Sequence, residues 1–155
     1  MRRAFRFRLA RVLRVRRVTE RTAKNEWAAA ESDSKRASDA TDDARERVRG
    51  AGRELAEIQA AGELLAGDVL AGDQALESLR GAVVRRRAEA LRLGEVAEEL
   101  RGVWSERRRD TRALERLEER QLERHRIELR RAEDAEIDEW AAGRRTASPS
   151  PERMP

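Results

Sequence analysis

Residues 9–65 read LA RVLRVRRVTE RTAKNEWAAA ESDSKRASDA TDDARERVRG AGRELAEIQA AGELL. Stepping by seven from the first of these gives Leu9, Arg16, Ala23, Ala30, Ala37, Ala44, Ala51, Ile58 and Leu65, all apolar except Arg16. The row four residues further on is Leu13, Glu20, Trp27, Ser34, Thr41, Val48, Leu55, Gly62 and Val69, and it is charged only at Glu20. Spacings that alternate between four and three bring both rows to one side of a helix. Sustained over eight heptads, with Ser, Asp, Lys, Arg and Glu at the outer positions, they form a coiled-coil seam. The pattern predicts a first helix from about residue 8 to about residue 65.

The regularity stops at Ala66-Gly67-Asp68-Val69-Leu70-Ala71-Gly72-Asp73, where an Ala-Gly-Asp triplet recurs after five residues. A glycine can end a helix in the left-handed conformation and an aspartate can cap the next one, so the chain is expected to reverse over residues 66–74. The seam resumes through Leu76, Leu79, Val83, Ala90, Leu93, Ala97, Leu100 and Trp104, with Arg86 as the exception. It is interrupted by the polar run Ser105 to Arg112, then returns more loosely through Leu114, Leu117, Leu122, Leu129, Ala132, Ile137 and Trp140. This predicts a second helix over residues 75–142. Residues 143–155 hold all three prolines and no apolar period, so a disordered tail is expected there.

The fold class that follows is all-α, a long antiparallel two-helix coiled-coil hairpin over residues 1–142. The competing arrangement is one uninterrupted rod of about 200 Å. A reversal between Gly67 and Gly72 sets residues whose numbers sum to about 140 opposite each other. Ile58 then meets Val83, Trp104 meets the small Ala37, and Phe5 meets Ile137. Such a hairpin buries one stripe per helix, which makes an extended, marginally stable protein of about 100 Å.

The composition agrees. Of 155 residues 43% are charged and 3% aromatic, too little bulk for a compact enzyme core, and Glu, Arg, Ala and Leu dominate as they do in long helices. The chain has no cysteine, which excludes disulfides and thiolate metal sites. No stretch approaches the roughly 18–20 apolar residues of a membrane span, and the N-terminus lacks the apolar region of a secretory signal, so a cytoplasmic protein is expected. The one histidine, His125, lies between Arg124 and Arg126 and reads as a solvated or seam-flanking residue. Gly67 and Gly72 lack the Lys-Ser/Thr of a phosphate loop, and Glu118-Glu119 and Glu136-Asp138-Glu139 read as helix surface. No catalytic, cofactor-binding or metal-binding residue is therefore expected.

The net charge of +4 conceals an asymmetry. Residues 1–24 hold ten basic residues against Glu20 alone, which leaves 25 bases against 30 acids in the remainder: a segment of +9 followed by one of −5. Within the basic segment, Arg2 to Arg17 interleaves arginine with Phe5, Phe7, Leu9, Val12, Leu13 and Val15. An organellar transit peptide would have this composition, but the seam already begins at Leu9 and Leu13, so its removal would truncate the coiled coil. Anionic lipid or nucleic acid is a second reading, with the two phenylalanines as anchors. A basic docking face for an acidic partner is a third. Alongside any of these, Phe5, Leu9, Val12 and Leu13 could simply close the hairpin against Ile137 and Trp140.

The opening Phe5-Arg6-Phe7-Arg8-Leu9-Ala10-Arg11-Val12-Leu13-Arg14-Val15-Arg16-Arg17-Val18-Thr19-Glu20-Arg21-Thr22-Ala23 resembles the start of the flagellar export protein FliJ family, F-x-F-x-L-x-x-V-L-x-x-R followed by E-x-x-A. Toward the other end, Ala113-Leu114-Glu115-Arg116-Leu117-Glu118-Glu119-Arg120 resembles that family's LEKL alternation, and Glu136-Ile137-Asp138-Glu139-Trp140-Ala141 its closing E-L-D-E-x-A. The sequence departs from the family near the turn, where members carry tyrosines and this chain has none.

The resemblance implies a non-enzymatic component of the flagellar type III export apparatus, acting in flagellum biogenesis, motility and chemotaxis. Its implied form is an antiparallel coiled coil like the central stalk of rotary ATPases. Its implied partners are the hexameric export ATPase, the export gate in the membrane and export chaperones, with peripheral association at the cytoplasmic membrane and no nucleic acid. The positions matching the family pattern at the ATPase end are Phe5, Leu9, Val12, Leu13 and Arg16 beside Ile137, Asp138 and Glu139, with Arg11 and Arg14 supplying charge. Topology alone assigns Leu76, Leu79 and Val83 to the gate- or chaperone-facing tip. Two alternatives stand: the equivalent stalk of a virulence-type secretion system, and a basic coiled coil that binds nucleic acid or anionic membrane through its N-terminus.

Overall fold

The computed structural model describes residues 4–62 and 65–146, with side chains to residue 143. Helix α1 spans Ala10–Ala61 and helix α2 spans Ala66–Thr146, and no strand occurs among the described residues. The described residues divide into two compact units: a hairpin unit within residues 17–109, and a terminal unit that combines residues 4–16 with 110–146. In both units the segments of α1 and α2 run antiparallel, as the fold class required.

The seam buries what its periodicity selects. Leu13, Ala23, Thr41 and Ala44 are buried on α1, as is Ala97 on α2, while Ala30, Ser34, Ala37, Val48, Ala51 and Leu55 are half-buried between them. Thr41 enters this apolar stripe because its hydroxyl donates to the Ala37 carbonyl at 2.8 Å, one turn back. Within the stretch read as wholly polar, Thr111 is buried and Arg108 half-buried. Outside the seam, α1 and α2 are tied along their lengths by acid–arginine pairs three residues apart, among them Asp42–Arg45, Glu46–Arg49 and Glu89–Arg92. Hydrogen bonding to Arg49 and Arg92 holds the Glu46 and Glu89 carboxyls below the usual carboxylate range. Exposed pairs of this spacing add only about 0.2–0.5 kcal/mol each, so they support helix rather than association.

The reversal lies earlier than the triplets suggested. Helix α1 ends at Ala61, and Gly62 takes φ +72° with its N–H donating to the Gln59 carbonyl at 3.2 Å, the left-handed cap that glycine adopts without a Cβ penalty. Leu65 then serves as the cap of α2. Its carbonyl accepts from Asp68 N at 3.0 Å, and its own N–H is held by the Asp68 carboxylate at 3.2 Å. Asp68 thus acts from inside the helix, reaching back to the cap as the acidic member of a capping box does. Residues 66–74, expected as the turn, are helical, as is the expected tail as far as Thr146. The rest of that tail, residues 147–155, lies outside the described residues.

Moving the turn moves the register. In the hairpin unit Trp104 stacks on Trp27, not on Ala37, with centroids 4.9 Å apart and planes 2° from parallel. Leu55 packs against Gly72, where a Cβ would come within 2.7 Å of its Cδ1. In the terminal unit Arg16 bonds Asp110 at 3.1 Å, and the Phe5 ring lies 5.8 Å from His125 rather than against Ile137. Gly72 is therefore a close-packing residue inside α2, and the punctuating glycine is Gly62. Gly62→Ala is expected to lower stability by about 1 kcal/mol through its positive φ, whereas Gly67→Ala, which meets open space in a helix, should raise it by about 0.5 kcal/mol. Thermal melts of the two variants should shift in opposite directions.

Candidate docking surfaces

In the terminal unit the chain enters α1 through a non-helical segment, residues 4–7, in which Phe7 is buried and Phe5 half-buried over His125. Alternation in the motif explains the difference. Phe5 and Phe7 turn inward, while Arg6 and Arg8 are exposed and line a cleft of about 360 Å³ with Phe7, Ala10 and Arg11. Of the residues assigned to this end, Leu13 is 2% exposed and belongs to the core. Arg16 is half-buried and engaged with Asp110. Leu9, Arg11, Val12 and Arg14 remain on the surface, joined there by Val15, which the seam reading passed over.

On α2 of the same unit Ile137 and Trp140 are 63% and 64% exposed, so they are not the residues that close the helices together. With Glu133 and Glu136 they line a shallow cleft of about 550 Å³, and Asp138 and Glu139 are exposed beside them. One turn of helix separates Glu133 from Ile137 and Glu136 from Trp140, so the apolar pair is bordered by carboxylates along one face. The terminal unit thus carries an arginine-rich surface with exposed valines on α1 and an acidic surface with an exposed Ile/Trp pair on α2. Trp140 could have been singled out beforehand, since a tryptophan after the seam has loosened has little left to pack on.

In the hairpin unit Leu76, Leu79 and Val83 are half-buried on the seam, and the residues exposed nearest the turn are Leu65 and Leu70. Val83 forms the floor of a cleft of about 290 Å³ with Arg45, Val48, Arg49 and Arg80. Arg45 also borders a second cleft of about 250 Å³, lined with Ser34, Ser38, Thr41, Arg87, Ala90 and Leu91. Further along, the Trp27–Trp104 stack is covered by Arg108, whose guanidinium carbon sits 5.2 Å from the Trp104 ring. Both indole N–H groups are buried without a hydrogen-bond partner.

Among the described residues no group of three or more His, Cys, Asp or Glu side chains is placed to hold a metal ion, and no helix is long and apolar enough to cross a membrane. The family model described as flagellar FliJ protein matches residues 5–148, which covers both units. No curated protein and no solved structure matches the chain.

Proposed function

Since the chain belongs to the FliJ family, and is thereby a component of the flagellar protein-export apparatus, we propose that its terminal unit docks on the export ATPase hexamer. In this reading it is a non-enzymatic stalk. The hairpin unit, around Leu76, Leu79 and Val83, faces the membrane-embedded export gate or the export chaperones, so the chain associates peripherally with the cytoplasmic membrane at the flagellar base. The observation that carries the reading is the pairing of two surfaces within one unit. Arg11, Val12, Arg14 and Val15 are exposed on α1, and Ile137, Asp138, Glu139 and Trp140 are exposed on α2. Exposed aromatic and aliphatic side chains rimmed by charge are what a protein interface uses for affinity and for steering respectively.

Co-purification with the export ATPase, followed by ATPase assays with and without this protein, tests the proposal. Wild-type protein is expected to bind and to raise the activity. Arg11→Glu combined with Arg14→Glu, both exposed and in no ion pair among the described residues, should weaken binding about tenfold without changing the melting temperature. Unchanged binding would remove the docking role from this surface. Retention of single-stranded DNA or anionic vesicles in a salt-sensitive manner, with indifference to the ATPase, would favour the basic coiled-coil alternative.

A further inference from the structure

The two clefts on the hairpin unit share Arg45, and their lining residues Ser34, Ser38, Thr41, Arg45 and Val48 step by fours and threes, which sets both clefts along one side of α1 as a groove against α2. From Ser34 to Arg49 it follows α1 for about four turns, or about 22 Å. Its uncharged lining is Val48, Val83, Ala90 and Leu91 together with Ser34, Ser38 and Thr41, and the charged residues that line it are Arg45, Arg49, Arg80 and Arg87, without a single acid. Leu91 and the adjoining Val84 are 62% and 68% exposed. Arg45, Arg49 and Arg80 rest on acids of their own helix, in exposed pairs that are easily exchanged, while Arg87 makes no ion pair among the described residues.

We propose that this groove receives an acidic amphipathic helix from a partner protein. A groove between two helices is the seat a third helix takes, with interaxial spacings of about 8–10 Å. Val48, Val83, Ala90 and Leu91 supply burial for one stripe of such a helix, and the four guanidinium groups meet carboxylates on both sides of that stripe. A nucleic acid fits less well, because neither cleft is lined by an aromatic side chain on which bases would stack. This proposal rests on the export-apparatus reading only for placing the partner in that apparatus; the recognition chemistry stands on the groove itself.

The probe is a fluorescein-labelled peptide of about three heptads, each Leu-Glu-Ala-Leu-Glu-Glu-Ala, read by fluorescence anisotropy against the full-length protein. Wild-type protein is expected to bind it, and the same peptide with Lys in place of Glu should not bind. Replacing Arg45, Arg49, Arg80 and Arg87 together with Gln, a residue of similar helix propensity, should weaken binding at least about tenfold with an unchanged circular-dichroism melt. If that variant melts early, Arg87→Gln alone carries the test, with about threefold weaker binding expected. Val84→Ser with Leu91→Ser should also weaken binding severalfold while every arginine remains. Binding of the Gln variant within about twofold of wild type, equal binding of the Lys peptide, or tighter binding of single-stranded DNA would overturn the proposal. ATPase binding by these variants should be intact, so loss of the groove and loss of the docking role are read separately.

Discussion

Trp27→Ala is expected to lower the unfolding free energy of the hairpin unit by about 3 kcal/mol, the lower end of the range for tryptophan truncation because the ring is half-buried. The stack with Trp104 lies in a seam where one of the two α1 rows is Ala23, Ala30, Ala37, Ala44 and Ala51, and no other aromatic residue of α1 can take over its role. The same substitution should relax the register. Five alanines spaced by seven offer the facing helix nearly identical positions, and the features that distinguish one from the next are the indole stack and the fit of Leu55 against Gly72. Because the chain has no cysteine, Ser34→Cys with Gly94→Cys reads the register directly. A Cβ at position 94 lies 3.6 Å from Ser34 Oγ, so the disulfide should form in the wild-type background and fall in yield with Trp27→Ala. Trp27→Phe separates size from polarity. It removes one of the two unpartnered indole N–H groups, whose burial costs about 1–3 kcal/mol, and should leave stability within about 1 kcal/mol of wild type. A melt for Trp27→Ala indistinguishable from wild type would show that the stack does not set the structure.

The second large effect concerns binding. Ile137→Ala with Trp140→Ala is expected to reduce affinity for the export ATPase by about 30-fold or more, as truncation of a tryptophan at the centre of an interface does. It should leave the helical signal and melt nearly unchanged, since both side chains are largely exposed. Leu13→Ala provides the contrast. That residue matches the family opening equally well but is buried, so its truncation should cost about 2–4 kcal/mol of stability and weaken docking only through unfolding. If the Ile137/Trp140 variant co-purifies with the ATPase as wild type does, the α2 surface is not part of the interface.

Periodicity was sufficient for the helices and for most of the seam, because a repeat of seven constrains which side of each helix faces the other. Ala23, Thr41, Ala44 and Ala97 are buried where the pattern put them. The sequence points past the turn because two Ala-Gly-Asp triplets resemble caps more than the single Gly62 after Ala60-Ala61 does, and only a backbone with φ +72° distinguishes them. Every cross-helix pairing inherited that error, since register is counted from the turn. Exposure at the ends followed the same course. Leu13 is core and Val15 surface, as the seam rows have it, whereas motif matching ranks residues by identity and does not separate the two. The arginine-lined groove was illegible for a related reason: its four arginines are spread over 43 positions and come together only through the observed register.

The position of the reversal also orders the assembly of the molecule in time. Leu55 and Gly72 lie close to Gly62 along the chain, so their contact closes a short loop, while Phe5 reaches His125 only after nearly the whole sequence has been drawn in. Loop-closure entropy grows with that separation, so pairing starts beside Gly62 and zips outward. The terminal unit is then last to form and first to fray, and the end proposed to meet the ATPase is the one that a partner would stabilise most by binding.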